Sequence, residues 1–220
     1  MKSAAFDPET NGHPPLMTEV EIHTPQGVVK GLLHKAEGAR GAMVMIGDAE
    51  GGIEGPSGIY EPLAGQLQNA GITALRLDYR APDDMLECIY DALAGIEALR
   101  QQGVERVALL GWSFGGAVAI TAGVASEFVV GVATVACQTF GAEMAPDLSP
   151  KSLLLLHGTD DRTTPDHHSR ELYARAREPK ELALYPGDDH DLTLHANEAL
   201  GKLLAWSRKL LLISARASGR

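Results

Sequence analysis

The chain has 220 residues, 45% of them hydrophobic and 22% charged. That is enough for one well-packed domain, and it excludes global disorder. Its 19 Lys and Arg against 29 Asp and Glu leave a formal charge of −10. Nothing would offset repulsion from phosphates, which argues against a nucleic-acid partner or an anionic membrane.

Residues 1–18 hold three prolines, little apolar content and no apolar leader core. They are expected to form a flexible arm, followed by one domain over 19–213 and a flexible tail at 214–220. Val20–Thr24 and Gly27–His34 read as a pair of strands turned by Pro25-Gln26-Gly27, and Ala42–Ile46 as a buried strand. A glycine-rich loop, Gly47–Gly58, leads into a helix near Ile59–Asn69 closed by Gly71. Ile72–Tyr79 is the next strand. A helix over Asp83–Gln102 carries Asp83, Asp84 and Glu87 in its first turns, as the helix dipole favours.

Val107–Gly111 (strand), Phe114–Ala125 (helix), Val129–Ala136 and Ser152–Leu156 (strands) follow, then a helix over Pro165–Arg177, a strand at Glu181–Tyr185 and a last helix near Leu192–Leu212. Strands alternating with helices predict an α/β fold: a doubly wound, mostly parallel sheet of about eight strands with helices on both faces. The twenty residues between Arg106 and Glu127 carry no charge and are long enough to span a bilayer. A buried strand and a buried helix give the same hydropathy, and aromatic belts and positive clusters are missing from the flanks, so no membrane span is expected. Cys88 and Cys137 make neither a disulfide framework nor a metal knuckle and fit a reducing cytoplasm.

Chemistry concentrates in three motifs. Gly111-Trp112-Ser113-Phe114-Gly115-Gly116 fits G-x-S-x-G where a strand must turn sharply into a helix. Such a turn lifts the serine hydroxyl above the C-terminal edge of the sheet, and the helix N-terminus offers the Phe114 N–H to a developing oxyanion. A serine hydroxyl needs a base and an orienting acid. Downstream, His157-Gly158-Thr159-Asp160-Asp161 places two acids at a strand tip, and Asp188-Asp189-His190 places a histidine after the next strand. All three groups emerge on one edge of the sheet.

With these motifs the sequence resembles the α/β-hydrolases, in particular their small, dienelactone-hydrolase-like or short-chain esterase members, in element order from about Gly27 to Leu212. The resemblance implies that Asp161, four residues after His157, is the triad acid and Asp160 a turn residue. Ser113 stands where dienelactone-type members bear cysteine. The family's oxyanion loop reads here Ile46-Gly47-Asp48-Ala49, so Asp48 is the implied backbone donor beside Phe114, with Ala49 the alternative. Larger members insert a cap after the nucleophile. Here Thr139–Pro150 is the only spare segment before Asp161, so no cap domain is expected, and Trp112, Phe140 and Met144 are candidate pocket walls.

The expected activity is that of a serine hydrolase cleaving small or short-acyl carboxylic esters, with Ser113 as nucleophile, His190 as base and Asp161 as orienting acid. No cofactor or metal is needed, the partner is a small-molecule ester, and the oligomeric state is left open. The same triad would serve an amide or peptide hydrolase or an acyltransferase, and a catalytically retired binding protein would keep the fold alone. His157 is expected to be structural, bonding nearby loop backbone, and Asp191 with His195 to form an i,i+4 surface pair. The loop Gly47–Gly58 lacks the lysine of a phosphate-binding loop and is acidic at Asp48, Glu50 and Glu54.

Overall fold

The computed structural model describes residues 17–212, which form eight strands and five α-helices. Most of the expected arm and all of the expected tail lie outside the described residues; Met17 and Thr18 already belong to the first strand. In chain order the elements are β1 (Met17–Thr24), β2 (Gly27–His34), β3 (Gly41–Ile46), α1 (Tyr60–Asn69), β4 (Thr73–Asp78), α2 (Met85–Gln101) and β5 (Arg106–Trp112). There follow α3 (Phe114–Ala125), β6 (Val129–Val135), β7 (Ser152–Gly158), α4 (His167–Arg175), β8 (Lys180–Tyr185) and α5 (Ala196–Leu211).

The strands form one sheet in the order β1-β2-β4-β3-β5-β6-β7-β8. β1 and β2 pair antiparallel, β2 joins β4 antiparallel, and every later pairing is parallel. The central strands are continuous apolar runs because both faces are covered: β3 is buried along its whole length. Leu75, Leu77, Leu109 and Val132 face α2, α3 and α4 on one side. Met43, Met45, Leu110 and Leu154 face α1 and α5 on the other.

Local sequence sets the helix ends. Asp84 caps α2, its carboxylate accepting from the N–H groups of Leu86 and Glu87 at 3.1 Å each. α1 ends on Gly71 at φ +80°, with the Ile72 N–H reaching back to the Leu67 carbonyl at 2.9 Å, a closure that needs a left-handed residue. α5 starts at Ala196, four residues later than expected, because Asp188 and Asp189 take the N–H groups of Thr193, Leu194 and His195.

The uncharged stretch resolves into β5 and α3. α3 is apolar all round and packs against β5, β6 and α2, which is why its hydropathy imitates a membrane span. Among the described residues no helix is long and apolar enough to cross a membrane. Between Ser113 and Asp161 the chain holds α3, β6, a single 3-10 turn at Ala145–Leu148 and β7, so this stretch carries no cap.

Candidate active site

The β5–α3 turn is strained where the sequence motif predicts. Ser113 has φ 53° and ψ −120°, a region that costs a non-glycine residue on the order of 1–3 kcal/mol. Its N–H is held by the Val135 carbonyl at 2.8 Å. Glycines make the turn possible by their lack of a side chain. A Cβ at Gly111 would run into the backbone of Gly115, and a Cβ at Gly115 into the Gly47 carbonyl oxygen. A Cβ at Gly116 would lie 2.7 Å from Cys137 Sγ. Strand, helix and the loop after β3 therefore meet at van der Waals distance around one serine.

That loop is held from beneath by two buried tyrosines. Tyr60 Oη donates to the Ile46 carbonyl at 2.8 Å and Tyr79 Oη to the Gly47 carbonyl at 3.4 Å. Burial pushes both phenols well above their ordinary range, so they stay protonated donors. The Gly47 carbonyl and the Asp48 N–H belong to one planar peptide, so fixing the first orients the second. The Asp48 side chain turns into its own loop, where Oδ1 accepts from the Glu50 N–H at 3.0 Å.

Asp161 and His190 meet across the ends of β7 and β8. His190 Nδ1 lies 2.7 Å from Asp161 Oδ2, and the carboxylate is fully buried while the imidazole keeps 14% of its side chain exposed. Asp161 Oδ1 accepts from the N–H groups of Thr163 and Thr164 at 2.8 Å each. Asp160 is exposed and meets no histidine; its N–H is bonded to the Asp188 carbonyl at 2.8 Å. Trp112, the residue before Ser113, lies against the His190 ring at 5.7 Å between centroids and donates from Nε1 to the His190 carbonyl at 3.3 Å. Among the described residues no hydrogen bond joins Ser113 Oγ to the imidazole; in resting sites of this kind such bonds are often long and tighten on substrate.

No protein-family model matches the chain. The uncharacterized protein YfhR of Escherichia coli K12 is 26% identical over 171 residues, 63% of this chain and 60% of YfhR, so the match spans about three fifths of that relative. A dienelactone hydrolase from Anabaena variabilis superposes with a TM-score of 0.77 at 20% identity, covering 91% of this chain and all of that one. An α/β serine hydrolase without a lid, from Xanthomonas campestris, superposes with a TM-score of 0.71 at 18% identity over 93% of this chain and all of its own. The chain has the α/β-hydrolase fold.

Within this hydrolase fold, some expected neighbours fall elsewhere. His195 pairs with the buried Asp188 at 2.9 Å, not with Asp191, and Asp188 faces the start of α5 rather than the His190 ring. Asp189 is likewise spent on the N–H groups of Asp191 and Thr193, which hold its carboxyl below the usual range. Phe140 and Met144 stand 74% and 39% exposed on the β6–β7 segment. His167 stacks on His168 at 4.2 Å, and His168 Nδ1 lies 3.0 Å from Thr139 Oγ1, tying α4 to that segment.

Sequence reasoning missed the tyrosine supports and the contact of His157 with Asp161. Cys137 is a buried thiol that burial pushes far above its ordinary range, an inert core group.

Proposed function

We propose that this protein is a serine hydrolase of small or short-acyl carboxylic esters, working through Ser113, His190 and Asp161. The observation that carries the reading is the buried Asp161 carboxylate bonded to His190 Nδ1 on the sheet edge where strained Ser113 stands. His190 Nε2 takes the Ser113 hydroxyl proton as Oγ attacks the ester carbonyl. The oxyanion is held by the N–H groups of Phe114 and Asp48. The imidazolium returns its proton to the leaving alcohol, and a water activated by His190 then releases the acid and restores Ser113.

Small esters are the substrate class because nothing between Ser113 and Asp161 roofs the site. The Anabaena and Xanthomonas structures, described as a dienelactone hydrolase and a lidless serine hydrolase, support the reaction class. Free thiols at Cys88 and Cys137 support a cytoplasmic setting. Labelling by a fluorophosphonate probe, followed by kcat/KM on acyl esters of increasing chain length, tests the proposal. Stoichiometric labelling at Ser113 and a maximum at short chains are expected. An unlabelled, folded protein would make it a binding protein on a hydrolase fold, and a preference for long chains would overturn the substrate class.

A further inference from the structure

Behind the dyad lies a second histidine. His157 is completely buried, and its Nε2 sits 3.2 Å from Asp161 Oδ2, the oxygen that also accepts from His190 Nδ1 at 2.7 Å. The same Nε2 lies 2.6 Å from the Thr164 carbonyl oxygen. A carboxylate and a carbonyl both accept, so Nε2 must carry the proton and share it between them. Nδ1 lies 2.7 Å from the buried Ser169 Oγ, whose hydroxyl donates to it. Both ring nitrogens are satisfied by a neutral imidazole in one tautomer.

Charge bookkeeping agrees with that state. Burial drives the His157 pKa down, against the pull of Asp161 from the β7 tip and Asp166 before α4. On this side His190 reaches Asp161 from the β8 loop, and His167 and His168 stand on α4. His157 therefore donates a hydrogen bond to Asp161 without bringing a positive charge that would cancel the carboxylate's hold on an imidazolium.

We infer that His157 is a positioning residue for the proposed hydrolysis, a neutral donor that completes the hydrogen-bond shell of Asp161 and fixes Oδ2 on the His190 Nδ1–H. The inference rests on the hydrolase reading above. With His157 in place, Oδ1 takes two backbone N–H groups and Oδ2 takes two imidazole N–H groups. A carboxylate has about four lone-pair sites, and all of them are then filled. A carboxylate with all its acceptor sites taken keeps one orientation. Removing the His157 donor leaves more negative charge on Oδ2, so His190 should bind its proton more tightly and Asp161 should be less firmly aimed.

The test compares His157→Leu, which removes the donor, with His157→Gln, whose amide nitrogen can take the place of Nε2. The His190 ring is titrated by NMR in the resting protein, and the acid limb of kcat/KM is measured beside it. In folded His157→Leu the His190 pKa and the acid limb should both move upward. kcat should fall by roughly ten- to hundredfold, the value of a hydrogen bond to a charged group, with KM within about threefold. His157→Gln should recover most of kcat and of the pH profile. If His157→Leu does not fold, Ser169→Ala releases the tautomer from the other side and should shift both titrations in the same direction by less. A folded variant with an unmoved His190 titration overturns the inference whichever way the serine labels. Failure of the wild type to take a fluorophosphonate would instead fell the hydrolase reading, because labelling reports Ser113 directly.

Discussion

Replacing Asp161 by asparagine changes one atom, and the surroundings dictate what that atom does. The Thr163 and Thr164 N–H groups hold Oδ1 at 2.8 Å each, so the amide oxygen of Asn must stay there. Its NH₂ then occupies the place of Oδ2, facing His190 Nδ1 and His157 Nε2. An NH₂ group only donates, so the His190 imidazole must offer a lone pair at Nδ1 and carry its proton on Nε2. The nitrogen intended for the Ser113 proton becomes a donor, and the base is lost. Turning the amide over sets NH₂ against two backbone N–H groups, which is no better. A triad held in the wrong tautomer loses about 10⁴ in kcat, or roughly 5.4 kcal/mol at 1.36 kcal/mol per decade. Folding should survive, since weakening hydrogen bonds to a charged acceptor costs about 1–3 kcal/mol. Asp160→Asn is the control, because the sole side-chain contact of that carboxylate among the described residues is with Thr159 Oγ1 at 3.5 Å, and it should stay within about threefold of wild type in ester hydrolysis. An Asp161→Asn protein that keeps its melting transition and more than a tenth of its turnover would refute the tautomer argument, and a reversed ranking would make Asp160 the acid.

Ser113→Ala should abolish fluorophosphonate labelling and lower ester turnover by on the order of 10⁶, with retained labelling pointing to another nucleophile. Gly115→Ala should push the Gly47 carbonyl and with it the Asp48 N–H, lowering kcat more than KM and costing about 1–3 kcal/mol of stability; an alanine variant with wild-type kcat would show that this peptide does not face the oxyanion. His34 is 3% exposed with both ring nitrogens unpartnered among the described residues, and burial and the nearby Arg76 hold its pKa below 6.5. Below about pH 6.5 the unfolded chain binds a proton that the folded chain refuses, so stability is full above that pH and falls as the solution is acidified. His34→Leu should flatten this acid slope in denaturant melts, and an unchanged slope would remove His34 from the linkage.

How much of this was legible in the sequence depends on how local each determinant is. The elements from β2 to β8 follow from apolar runs and glycine stops, and the parallel order follows from strand–helix alternation. The Ser113 turn could be read because its causes, Gly111, Gly115 and Gly116, lie within three residues of it. Asp161 and His190 were reachable because both sit at strand tips, where topology alone brings them to one edge. The supports of the site are non-local, and there the sequence is mute. Tyr60 and Tyr79 are ordinary core aromatics until the β3 loop is laid over them, and no spacing announces it. Asp188 and Asp189 precede His190 directly, yet they serve α5, because successive residues of a turn point in different directions. The His157–Asp161 spacing carried a usable signal, since four residues across a tight turn can bring two side chains back together.

The loop after β3 is long enough to act as a roof, but its bonds argue that it is a wall. The Gly52 N–H is held by Asp78 Oδ1 at 3.1 Å, the Ile53 carbonyl by Arg76 at 3.4 Å, and Ser57 Oγ donates to the Asp191 carbonyl at 2.9 Å, beside His190. Swinging the loop over Ser113 would break these ties at about 1 kcal/mol each. Closing would thus start roughly 3 kcal/mol uphill, more than a hundredfold against it. An acyl chain would have to supply that energy by burial at about 0.8 kcal/mol per CH₂, and it gains burial only beneath a roof that is already closed. On the proposed reading, each methylene added beyond the first few carbons should stay in water and contribute nothing to the transition state. The Ser57–Asp191 link has a second effect, since it joins the loop bearing the Asp48 N–H to the loop bearing His190. On the same reading, oxyanion donor and base are then set by one connected frame, rigid at the reacting centre and open above it, which would suit a small acyl group better than a lipid.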